Sequence, residues 1–117
     1  MKITEKTDED IFSIAKPMID DVIKGSNAKD WTLFSKYQTD EELYDPDNRK
    51  NVEAQWQKSE FLTSLDPEWQ LLTILRRGEV AILVWKQTST KVEGEVLACY
   101  SIQQMGQEVK EVGFRVI

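Results

Sequence analysis

Five carboxylates, Asp40, Glu41, Glu42, Asp45 and Asp47, fall within eight residues of one another. Oxygen-rich stretches of this kind are what a Ca²⁺ ion requires. The spacing departs from the EF-hand pattern, and no glycine stands where that loop makes its sharp turn. The stretch therefore reads as a solvated acidic loop. Asp20 and Asp21 are neighbours on a predicted helix, so their side chains point about 100° apart. They read as solvent-facing, not as an acid–base pair. The chain has no histidine, which removes the usual proton shuttle near neutral pH and any Ser-His or Cys-His nucleophile pair. With a single cysteine, Cys99, and no histidine, zinc and other nitrogen- or sulfur-ligated metals have no ligand set. Cys99 sits in a strand pattern with no neighbouring cation to lower its pKa, and reads as a small buried hydrophobe. Neither phosphate-loop signature occurs. No catalytic residue, metal site or cofactor is assigned, and the balance leans against an enzyme.

The elements that would position these side chains are legible from periodicity. Ile11, Ile14, Ala15, Met18, Ile19, Val22 and Ile23 recur at helical spacing. Thr7 is the expected N-cap, with Asp10 three residues on, and Gly25 the expected stop. Pro17 interrupts this helix and predicts a kink. A second helix is expected over 28–36, capped by Ser26 or Asn27, with Trp31 and Phe34 as an apolar stripe. Thr39 and Glu42 match a capping box, which leaves residues 38–47 open between a helical turn and a hairpin. A third helix is expected over 47–65, with Val52 and Trp56 facing inward, ended by Asp66-Pro67. Four strands are predicted over 69–76, 79–88, 95–104 and 108–117, joined by turns short enough to force antiparallel pairing. In the second strand Val80, Ile82 and Val84 point one way, and Ala81, Leu83 and Trp85 the other. Both faces are apolar. In the last strand Val112, Phe114 and Val116 alternate with Glu111, Gly113 and Arg115, which places Glu111 and Arg115 on one face as a pair.

Length and charge bound the rest. The chain has 117 residues, enough for one domain with a core, here 1–117. Helices first and strands afterwards indicate an α+β fold, three N-terminal helices on a curved antiparallel sheet of about four strands. Net charge is −6. Residues 1–68 hold 16 acidic and 9 basic side chains, whereas residues 69–117 hold 5 and 6. An acidic helical half argues against nucleic acid as a partner, and no basic amphipathic stretch serves a membrane surface. The N-terminus has no apolar signal region, and with one cysteine the expected compartment is the cytoplasm.

The order of elements carries a resemblance. The helix 11-IFSIAKPMIDDVIKG-25, then 31-WTLFSKY-37, a third helix and a C-terminal meander ending in VGFRVI together resemble the nuclear transport factor 2-like superfamily, which includes ketosteroid-isomerase-like and SnoaL-like proteins. The departure from that pattern is the short hairpin between helices 2 and 3, for which only residues 38–47 remain. A cystatin-like helix-on-sheet fold is the alternative. The resemblance implies a pocket at the open end of a cone and a sheet face that makes a dimer. It does not decide function, since that fold serves enzymes and binding modules alike. Isomerases of that superfamily use an acidic base and a Tyr or Asp oxyanion donor inside the cone. Tyr100 and Glu111 lie on strands that could supply them, but no motif carries those roles onto them.

Three functions follow as expectations. The first is a non-enzymatic binding domain that pairs with a second copy through its sheet, with Leu83, Trp85 and Leu97 at the seam. The second is a pocket for a small apolar or anionic ligand, lined by Trp56, Trp85, Tyr100 and Arg115. This version includes a cryptic isomerase-like or hydrolase-like enzyme. The third is an inhibitor or immunity-type protein that presents the acidic segment 38–48 to a basic partner.

Overall fold

The computed structural model describes residues 2–117. The first 70 residues supply helices and the last 47 supply one antiparallel sheet. A 3-10 turn over Ile3–Glu5 precedes α1, Asp8–Ala28. The Thr7 hydroxyl accepts from the Asp10 N–H at 3.1 Å and starts the helix where expected. The stop is not where expected. The helix runs through Gly25 and closes at Lys29, which takes the left-handed conformation at φ 54°. Gly25 has a different duty: a Cβ there would lie 2.6 Å from the Phe34 backbone nitrogen. The missing side chain lets α2, Trp31–Phe34, press against α1. Asp30, not Ser26 or Asn27, caps α2, accepting from Leu33 N–H at 3.2 Å.

Residues 38–47 hold a helical turn, not a hairpin. The Thr39–Glu42 capping box forms in full and opens α3, Asp40–Tyr44. Before it, Gln38 makes one parallel bridge to Glu111 at the sheet edge. Asp45 then caps α4, Pro46–Lys58. This helix is shorter than the expected third one, because the chain breaks at Ser59 and resumes as a separate turn over Phe61–Thr63. Four helices thus stand where three were expected.

The strands are β1 Leu71–Arg77, β2 Val80–Thr88, β3 Glu95–Met105 and β4 Glu108–Val116, in the order β1-β2-β3-β4. Gly78 and Gly106 take positive φ in the two tight turns, where a side chain would be strained. The inner face carries Ile74, Leu83, Trp85, Ala98, Tyr100 and Ile102 against Ile11, Ala15, Met18, Ile19, Val22 and Ile23 of α1. An aromatic row crosses this layer. Trp85 lies between Trp69, centroids 4.7 Å apart, and Phe114, stacked at 6.2 Å. Phe114 then meets Phe34, which meets Trp56 edge-on at 5.4 Å.

Two irregularities decide which side chains enter that layer. In β1 the register skips Leu72, which bulges out and is largely exposed. In β4 it skips Val112: Ser101 pairs with Gly113, but Ile102 pairs with Glu111. An extra residue reverses the inside–outside alternation on one side of it. Phe114 and Val116 therefore face inward, and so does Glu111, which simple alternation puts on the opposite face from them. Simple alternation across 111–116 puts Glu111 beside Arg115; the bulge at Val112 separates them onto opposite faces.

Candidate functional site

Two polar sites flank the aromatic row, one sealed and one open. The sealed site is Tyr100 and Glu111. Tyr100 is fully buried and Glu111 is 2% exposed. The Tyr100 hydroxyl and the Glu111 Oε1 both lack a hydrogen-bond partner. They face one another closely enough for the Tyr100 hydroxyl and the Glu111 carboxyl to shift one another's ionisation. Burial pushes the Glu111 carboxyl up to about 8, and nearby Glu42 adds to the rise while Tyr100 opposes it. The Tyr100 hydroxyl is pushed up by burial first and by the Glu111 charge second. A carboxyl in this state is neutral at pH 7 and is a proton donor rather than a base. The surrounding scaffold is polar and well ordered. The Glu111 N–H donates to the Tyr37 carbonyl at 2.7 Å. Asn48 Nδ2 donates both to Gln38 Oε1 at 2.7 Å and to the Glu42 carbonyl at 2.9 Å. The expected reading of Tyr100 as a lining residue of an open pocket is corrected: it is fully buried.

The open site is a groove of about 300 Å³ where α1, α2 and α4 meet the end of β4. Ser26, Phe34, Trp56, Phe114 and Arg115 are among its lining residues. The Trp56 indole N–H donates to Ser26 Oγ at 3.1 Å, and the Ser26 hydroxyl donates to the Leu62 carbonyl. No carboxylate lines the groove, and among the described residues Arg115 has no salt-bridge partner.

Of the four expected ligand residues, Trp56 and Arg115 both border the groove, although Arg115, paired with Cys99, belongs to the outer face of the sheet. Trp85 and Tyr100 stand apart from the groove, buried in the core. Trp85 is already committed, donating to Gln87 Oε1 at 2.8 Å. The expected seam is also corrected. Leu83 and Trp85 are fully buried under α1, because odd-numbered residues of β2 face the helices. Only Leu97 is on the outer face, 39% exposed. The residues that belong there are Leu75, Ile82, Val84, Leu97 and Cys99, aligned across β1, β2 and β3. Cys99 is half-buried on this face, not inside.

Asp20 and Asp21 are likewise not free. Asp20 accepts from the Trp69 indole at 3.1 Å, and Asp21 from the Tyr37 hydroxyl at 2.5 Å. Asp40, Glu41 and Glu42 share a wide groove with Glu108, Lys110, Met105 and Val112 across the β3–β4 hairpin. Among the described residues no set of three or more carboxylate, cysteine or histidine side chains is placed to hold a metal ion. No helix among them is long and apolar enough to cross a membrane. Glu111 is the residue that sequence reasoning misplaced. The signal was the glycine at 113 beside Val112, since a glycine inside a strand often marks a bulge. Comparison with protein-family models, with curated proteins and with solved structures finds no match to this chain.

Proposed function

We propose that the protein is a non-enzymatic binding domain that works in the cytoplasm as a homodimer, joined through the outer face of a curved sheet of the nuclear transport factor 2-like kind. The observation that carries this reading is the apolar face opposite the helices, where Leu75 and Leu97 are exposed, Ile82 and Cys99 half-buried and Val84 buried between them. Four strands about 4.8 Å apart and some nine residues long make a face of roughly 600 Å². Two copies would bury roughly 1,200 Å², the lower end of a stable interface. Charge favours the same face. The excess negative charge lies in residues 1–68, and the strand half is nearly neutral. Sheet-to-sheet pairing keeps the acidic helices apart, and two-fold self-pairing is the common way to hide such a surface. Light scattering at micromolar concentration is expected to give twice the chain mass, and Ile82→Lys is expected to halve it without unfolding. A monomeric mass for the unaltered chain at every concentration refutes the reading.

A second reading rests on a different observation, a groove lined by Phe34, Trp56 and Phe114 that holds no carboxylate and has Arg115 at its border. An apolar groove with a cation at its border suits a small organic anion. A ligand that binds only the native state must raise the melting temperature. A thermal-shift screen of aromatic and aliphatic carboxylates is expected to find one that stabilises the chain and fails with Arg115→Gln.

A further inference from the structure

Glu111 stands at the junction between the sheet and the segment that covers its edge. Its N–H holds the Tyr37 carbonyl at 2.7 Å, and Gln38 bridges to it in parallel. Its carboxyl is buried near Glu42 of the following turn, with Oε1 unpartnered. The groups facing it are Tyr100 from β3, Glu42 from α3 and, beside Tyr100, Tyr37 from the covering segment itself. None is a cation. Tyr37 is tied to Asp21, with Lys36 3.5 Å from that same carboxylate. The covering turn is held mainly by polar bonds. α3 contributes no buried residue, and its Tyr44 is 82% exposed. Its anchors are the Thr39–Glu42 box and the two bonds from Asn48. An element with so little buried apolar surface opens at low cost.

We propose that residues 37–44 form a flap held to the edge of β4 by the Glu111 backbone and closed over its uncharged side chain, and that loss of the Glu111 proton releases it. A carboxylate formed there would face no cation, with the Tyr100 hydroxyl as its neighbouring donor and Glu42 close by, and burying such a charge is costly. Lifting the flap admits water to the carboxylate and separates it from Glu42. It also bares the Glu111 N–H and the neighbouring edge of β4, a surface fit to accept an added strand.

The flap's opening equilibrium should follow the proton. If Glu111 regains its ordinary pKa when the flap is open, opening rises by about tenfold per pH unit up to about 8 and levels off above it. Amide hydrogen exchange between pH 6 and 9, corrected for the intrinsic pH dependence, reads this directly. The Glu111 amide and residues 39–44 are expected to lose protection over that range, while Trp85 and Ala98 amides in the sheet keep theirs. Glu111→Gln is expected to hold the flap protected throughout. Glu42→Gln, which leaves Glu111 but removes the facing charge, is expected to lessen the loss. Identical profiles for the unaltered chain and Glu111→Gln overturn the proposal. So does a loss that spreads evenly over the sheet, which is global unfolding and not a flap.

Discussion

The sealed and open polar sites use similar parts to opposite ends. At the open groove, the aromatic N–H of Trp56 is bonded, the Ser26 hydroxyl relays to a carbonyl, and the one charge, Arg115, stands in solvent. At the sealed end, Tyr100 and Glu111 are equally well packed, yet their polar atoms are unpaired. The first arrangement leaves its buried donors paired. The second stores unfavourable free energy, because an unsatisfied buried group keeps its full desolvation penalty. Polarity alone therefore does not mark the site that will respond to its surroundings. The state of the hydrogen bonds does.

The contrast can be broken first at the open end. Trp56→Ala removes an indole that packs on Phe34 and holds Ser26, and is expected to cost about 3–5 kcal/mol in urea unfolding. Trp56→Phe keeps the ring and should cost only about 1 kcal/mol, the share of the lost hydrogen bond.

At the sealed end the sign reverses. The Glu111 carboxyl titrates near 8 in the folded chain and in the ordinary range when unfolded. Above that ordinary range the unfolded chain gives up its proton first. Stability is therefore intact at low pH and is lost as pH rises, by at most about 1.4 kcal/mol per unit until about pH 8. Glu111→Gln is expected to match the unaltered chain at pH 4 and to exceed it in melting temperature increasingly from pH 5 to 8. A difference that shrinks as pH rises contradicts the buried neutral acid.

Smaller effects sharpen the comparison. Tyr100→Phe deletes a hydroxyl that has no partner, so its cost should stay within about 1 kcal/mol and is as readily a gain. Arg115→Gln should move stability by no more than about 0.5 kcal/mol. Its effect should appear only in the thermal shift produced by a carboxylate ligand.

Much of the architecture was legible because it rests on local periodicity. The stripe from Ile11 to Ile23 gave α1, the Thr39–Glu42 spacing gave the capped turn, and all four strands fall within two residues of expectation. What was not legible depends on contacts distant in sequence. Gly25 reads as a helix stop until Phe34 is seen against it. The seam was misplaced because β2 is apolar on both faces, and parity alone does not say which face the helices take. Trp56 and Arg115 border one groove, but Trp85 and Tyr100, equally aromatic, lie inside. Glu111 was lost to a single unpaired valine.

That valine at position 112 has a consequence for how β4 tolerates change. The strand is written in two reading frames, with Val109 and Glu111 in one and Phe114 and Val116 in the other. Deleting Val112 would merge them without moving the acid: Gly113 would follow Glu111 directly, in step with Ser101 and Ile102, and Glu111 would keep its inward place. Keeping Val112 but drawing it into the ladder would do the reverse, setting Val112 opposite Ile102 and turning Glu111 to water. The bulge, not the composition of the strand, decides where the proton-bearing acid stands.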